Sequence, residues 1–185
     1  MDKTLSLKER LILANQYEIL SRLTQDEYEK KQFENLQNIF ASGYSRYYSL
    51  ATEHFSDEVS DEECKFVVDV LSLYSSLYYS RKNNKEVQDA IDEKDVLFKG
   101  FDLNDSTEVK YYSFYKFLVQ DLERFVEFKE LIESGKIEDY NSHGFGPSMK
   151  KLADMVAKRN EIIRKDDFSR PNELTVEEIN EILNV

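Results

Sequence analysis

The stretch Cys64–Arg81, CKFVVDVLSLYSSLYYSR, limits most severely what this chain can fold into. Stepped at about 100° per residue, Phe66, Val67, Val70, Leu71, Leu73, Tyr74, Leu77 and Tyr78 cover well over half of a helix circumference. A helix apolar over so wide an arc belongs in a core, because a surface helix shows a narrower stripe. The remaining arc holds Lys65, Asp69, Ser72, Ser76 and Ser80. Its serines are short enough to let a neighbouring backbone approach closely. Ser60 and Glu63 spell a capping box at the start. Asp61 and Glu62 add negative charge where the helix dipole favours it. Arg81-Lys82-Asn83-Asn84 supplies cations and then poor helix formers at the stop.

Only 5 Gly and 2 Pro in 185 residues argue against a loop-rich or all-β fold. A chain of this length buries roughly 70% of its unfolded surface, so one domain over 1–185 needs no metal or disulfide staple. The expected fold is all-α: a single-domain bundle of about seven to nine helices around the buried central one. Charge favours the same class, with 34% charged and 41% apolar residues suiting amphipathic helices.

The other helices follow from caps and periodicity. Ser6–Thr24 opens on a capping box, Ser6 with Glu9, and carries Ile12, Leu13, Tyr17, Ile19, Leu20 and Leu23 on one broad arc. Gln16 falls in the middle of that arc and needs a hydrogen-bond partner if buried. Asp26–Ala41 is the second helix, closed by Gly43. Tyr44–Phe55 is expected as a third, Lys85–Phe98 as one or two short ones, and Thr107–Ile132 as one long helix. That long helix places Tyr111, Phe114, Tyr115, Leu118, Val119, Leu122, Phe125 and Val126 inward. Lys136–Pro147 is the one real loop, Ser148–Lys165 the next helix, and Thr175 with Glu178 a third capping box opening a short C-terminal helix.

The net charge of −12 repels phosphate backbones, so nucleic-acid binding over a broad face is disfavoured. The exception is Lys150, Lys151, Lys158, Arg159, Arg164 and Lys165, which share one helix and read as its solvated face. The N-terminal MDKTLSLKER has no apolar run resembling a signal peptide, and the central helix falls short of a membrane span. The single cysteine, Cys64, excludes an intramolecular disulfide and any multi-cysteine zinc site, in keeping with a cytoplasmic location.

Chemistry-bearing motifs are few. The sequence has no phosphate loop, no GxGxxG, no HExxH and no GxSxG, and no metal or cofactor is indicated. A bundle di-iron site needs Glu-x-x-His, and His54 has Ala51 in the glutamate position. The acidic run Asp57–Glu63 lacks the spacing of a calcium loop. Cys64 reads as an inward thiol. Asp69, inside the central helix, must be paired, partly exposed or at an interface, with Arg124 or Arg10 as candidate partners. His143, flanked by Gly144 and Gly146 in the loop, is the best-placed titratable group. A candidate ligand-binding set of Arg10, Gln16, Asp102, Arg124 and His143 follows if the fold brings these positions together.

Several blocks resemble the YfbU family of prokaryotic proteins. They are Arg10-Leu11-Ile12-Leu13-Ala14-Asn15-Gln16-Tyr17, Glu63-Cys64 with Asp69 and Tyr74, and Gly100-Phe101-Asp102. Arg124, His143-Gly144-Phe145 with Pro147 and Met149, and Glu177-Glu178-Ile179-Asn180 continue the series in the same order. The chain departs from the family in the tyrosine-rich third segment and in Val126–Tyr140. The resemblance implies a mostly helical, cytoplasmic bacterial protein and assigns no reaction, cofactor or catalytic residue. The leading functional expectation is a non-enzymatic interaction protein that forms homo-oligomers, since abundant Tyr and Phe suit interfaces. The alternatives are an enzyme or small-ligand binder with a polar pocket near His143 and Arg124, and a regulator touching nucleic acid through the Lys150–Lys165 helix.

Overall fold

A computed structural model describes residues 4–165 and 173–185, with Lys165 described by its backbone alone. Among these residues the chain is all-α. The helices are α1 (Leu7–Leu23), α2 (Glu27–Ser42), α3 (Asp61–Asn83), α4 (Lys85–Ala90), α5 (Val109–Lys116), α6 (Val126–Glu133), α7 (Met149–Lys165) and α8 (Val176–Leu183). Two short 3-10 turns, Ser45–Ala51 and Glu93–Asp95, and one π-turn, Phe117–Asp121, complete the set. Internal contacts divide the chain into two compact units, Met1–Glu58 and Val59–Val185.

The first unit is a helical hairpin. The Ser6–Glu9 capping box forms as read, both hydrogen bonds present. Asp26 caps α2 by accepting from the Tyr28 and Glu29 N–H groups at 2.8 and 2.9 Å. Gly43 ends α2 in the left-handed region at φ 75°. Arg10 locks the hairpin: its Nε donates to the Phe40 carbonyl at 2.8 Å and its Nη2 to the Ala41 carbonyl at 2.7 Å. These are carbonyls that a helix end leaves unsatisfied. Between the helices Tyr17 stacks on Phe40 with centroids 5.6 Å apart, and Phe40 stacks on Tyr48 at 5.2 Å. The expected third helix over Tyr44–Phe55 is instead the 3-10 turn Ser45–Ala51. No side chain caps its start at Tyr44. Seven residues rich in Ser and Tyr, both middling helix formers, do not offset helix nucleation by themselves.

The second unit is organised on α3. Val67, Val70, Leu71, Leu73 and Leu77 are fully buried, and the Ser60–Glu63 box starts the helix as expected. The serine arc admits neighbours as its short side chains imply. Buried Ser80 donates to the Ser76 carbonyl and accepts from the Leu174 N–H, each at 2.7 Å. Ser76 Oγ accepts from Arg159 Nε and Nη2 at 3.2 and 2.9 Å. Asp69 pairs with Lys65 one turn away on the same helix, which corrects the expectation of Arg124 or Arg10. Half-buried Cys64 donates only a weak contact to the Val59 carbonyl, 3.9 Å away.

Thr107–Ile132 is not one helix. After α5 the ladder slips: the Leu122 N–H reaches the Phe117 carbonyl and the Arg124 N–H the Leu118 carbonyl, at 3.0 and 2.9 Å. Glu123 and Phe125 then take left-handed φ values of 51° and 53°, and the chain restarts as α6. Packing explains the break. In a continuous helix Tyr115 and Phe128 would stand about 20 Å apart along the axis. Here their rings meet edge to face with centroids 5.8 Å apart, both buried. The reversal delivers them to an aromatic cluster around Phe98, whose ring lies 4.9 Å from Tyr74, 5.1 Å from Phe101 and 5.5 Å from Tyr115. Lys110 joins α5 to the start of α3 through Glu63, and this hydrogen bond holds the Glu63 carboxyl below its usual range.

Candidate functional site

Helix α1 exposes six large apolar side chains: Leu7, Leu11, Ile12, Ile19, Leu20 and Leu23. Ala14 and Ser21 are buried against the hairpin partner, with Leu13 and Tyr17 half-buried beside them. The expected apolar arc is therefore split between two destinations. Ile12, Ile19, Leu20 and Leu23 remain 48%, 56%, 41% and 73% exposed. At about 100° per residue these four fall within one arc of roughly 100°, almost opposite Ala14 and Ser21. Gln16 lies inside that arc and is exposed too, so the partner expected for it within the core is not required. The exposed parts of these four residues amount to on the order of 400 Å², the size of the largest apolar patch on a typical protein surface, which is often a functional one.

The loop after α6 carries the other sequence candidates. Gly135 closes α6 at φ 72°. The chain then runs beside Phe101: its N–H donates to the Tyr140 carbonyl at 3.2 Å, and the Ser142 N–H donates to the Phe101 carbonyl at 3.0 Å. Gly100, at φ 97°, permits this approach, for a Cβ there would stand 1.9 Å from the Tyr140 carbonyl oxygen. Buried Asn141 fastens the two strands of chain. Its Oδ1 accepts from the Leu103 and His143 N–H groups at 3.1 and 3.0 Å, and its Nδ2 lies 3.3 Å from His143 Nδ1. Asn141 escapes a reading of the sequence; the one local cue is an Asn two residues before His143, the spacing of an Asx turn. His143 itself is exposed and held in the left-handed region at φ 49°.

The five sequence candidates thus have separate settings. Asp102 is brought to the His143 loop, since a Cβ on Gly144 would lie 3.4 Å from Asp102 Oδ2. Its carboxylate is engaged in its own turn, accepting from the Asn104 N–H at 2.9 Å. Arg124 is exposed on the break between α5 and α6, and no hydrogen bond joins it to His143. Arg10 and Gln16 belong to the first unit, the former spent on α2 and the latter facing solvent. The basic residues of α7 do not form one solvated face either. Lys158 pairs with Glu181 at 2.8 Å and Arg159 turns onto Ser76, while the Lys165 side chain lies outside the described residues. Among the described residues no group of three or more His, Cys, Asp and Glu is placed to hold a metal ion, and no helix is long and apolar enough to cross a membrane.

These features define an all-helical protein whose first unit exposes an apolar stripe and whose second unit carries a braced glycine-histidine loop. A profile of the YfbU domain matches residues 3–185, and the chain belongs to the YfbU family. It is 34% identical over 182 residues to the UPF0304 protein MJECS11 of Methanocaldococcus jannaschii, an alignment covering 97% of this chain and 99% of that protein.

Proposed function

We propose that the protein acts without catalysis, as a self-associating interaction protein whose copies meet along the outward stripe of α1. The observation that carries this reading is the row Ile12, Ile19, Leu20 and Leu23, left in solvent on the side of α1 away from buried Ala14 and Ser21. Burying the stripe on two copies removes about 800 Å² of apolar surface. Apolar atoms make up about 60% of such contacts, so the whole interface approaches 1,300 Å², within the range of specific ones.

A second copy suits the stripe better than a charged partner does, because Ile12, Ile19, Leu20 and Leu23 carry no charge and Glu9, which enters the arc at its N-terminal end, is engaged by Ser6. Gln16 adds a self-complementary feature, since an amide offers both donor and acceptor and can pair with its own copy across a two-fold axis. A lone polar residue in an apolar seam also fixes register.

Light scattering over a dilution series tests the reading. A mass of twice the chain's 21.9 kDa, or a higher multiple, is expected at tens of micromolar. Two copies of net charge −12 repel, so added salt is expected to tighten the association. A 21.9 kDa species at every concentration would remove the proposal.

A further inference from the structure

Two open cavities in the second unit, of about 450 and 680 Å³, lie side by side and share Lys94, Leu97, Lys99 and Phe145 in their walls. Each is of the size that holds a small organic ligand. The first also takes Lys151 from α7 and Asn180 and Asn184 from α8, over Tyr74 and Met155. The second adds Lys136, Glu138 and the loop residues Asn141, Ser142 and His143.

The charge of these walls runs against that of the chain. Acids outnumber cations 37 to 25 overall, yet the walls hold four lysines against the carboxylates of Asp95 and Glu138. Two of the lysines are committed: Lys94 to Asp92 at 3.1 Å and Lys136 to Glu93 at 2.5 Å. Lys99 and Lys151, both in the first cavity, have no ion pair among the described residues. Tyr74, 3% exposed, contributes to the wall of the same cavity, and burial pushes its phenol well above the usual range. Asn184 is less available, its Nδ2 donating to the Asn180 carbonyl at 2.8 Å.

Phe145 supplies the other half of the recognition. It is 78% exposed, yet its backbone is fixed, with its N–H donating to the Ser142 carbonyl at 2.8 Å. An exposed aromatic ring on the wall common to both cavities offers a flat face for stacking.

We infer that this double cleft binds a small organic phosphate bearing a flat ring, its phosphate between Lys99 and Lys151 and its ring against Phe145. Lysine serves such a group as a mobile point charge. The site lies within the second unit and does not depend on self-association.

Calorimetric titration at low salt tests the inference, with adenosine 5′-monophosphate, adenosine and inorganic phosphate as separate probes. The monophosphate is expected to bind, and each half alone to bind at least about tenfold more weakly. Lys99→Gln with Lys151→Gln is expected to weaken the monophosphate about tenfold or more. Phe145→Ala is expected to weaken the monophosphate and leave inorganic phosphate unchanged. These exposed or half-buried positions leave the fold intact, which circular dichroism checks. No heat from the monophosphate at millimolar concentration, equal binding of adenosine, or undiminished binding by the lysine variant would each overturn the assignment.

Discussion

Replacing Gly100 with alanine is expected to lower the stability of the second unit by about 3 kcal/mol or more, among the larger effects of a single substitution. Two costs add. The backbone sits at φ 97°, a conformation that side-chain-bearing residues rarely adopt. The new Cβ would also stand 1.9 Å from the Tyr140 oxygen and 2.4 Å from its carbonyl carbon. Both are backbone atoms and cannot rotate away. Relief requires pulling Gly100 from Tyr140, which breaks the hydrogen bonds around Phe101 and disturbs a ring that is fully buried. Gly135 provides the control. Its φ is 72° but nothing lies within 4 Å of its Cβ position, so alanine there costs only about 1 kcal/mol, the conformational part alone. Thermal melting followed by circular dichroism separates the two. The Gly100 variant is expected to melt about 10 °C or more below the Gly135 variant. Equal melting temperatures would show that the close approach at residue 100 is wrong.

Introducing Ile12→Asp and Ile19→Asp together is expected to convert the associated protein to monomer without unfolding it. Both side chains are about half exposed, so the hairpin loses little by their replacement. In the associated form each is covered, and full burial of an isoleucine is worth roughly 1.5–3 kcal/mol. A symmetric contact loses each residue twice and confronts four buried carboxylates, which are costly without partners. The dissociation constant should rise by about a thousandfold or more, each factor of ten being about 1.4 kcal/mol. Sedimentation velocity reads the change directly: the variant should run as a single 21.9 kDa species at concentrations where the parent does not. A variant sedimenting with the parent would move the contact elsewhere on the molecule.

Helix starts were the most legible part of this fold. Ser6 with Glu9, Ser60 with Glu63 and Thr175 with Glu178 each announce a reciprocal cap, and all three form. Such caps are local, made of groups three residues apart, so the surroundings do not alter them. The central helix was equally readable, because only an enclosed element tolerates an apolar arc that wide. The break between α5 and α6 was not. Its residues keep helical periodicity, and what interrupts them is the meeting of Tyr115 with Phe128, a contact visible only after the chain reverses.

The sites follow the same division. An apolar arc on α1 was plain in the sequence, but periodicity does not say whether another part of the chain covers it. Gln16 stands out in the sequence as a polar residue inside an apolar arc, and the structure turns that arc outward. His143 is marked in the sequence by its glycines, whereas Asn141, which holds it, also accepts from the Leu103 N–H, which only the fold brings near. The lysines of the double cleft come from Lys94, Lys99, Lys136 and Lys151, too far apart in sequence to suggest a common wall.

The self-association claim meets its most direct test in isotope-filtered nuclear Overhauser spectroscopy on an equal mixture of labelled and unlabelled chains. Contacts between copies are expected at the methyl groups of Ile12, Ile19, Leu20 and Leu23, with the Gln16 amide among them. An associated species whose between-copy contacts miss α1 altogether would contradict the account.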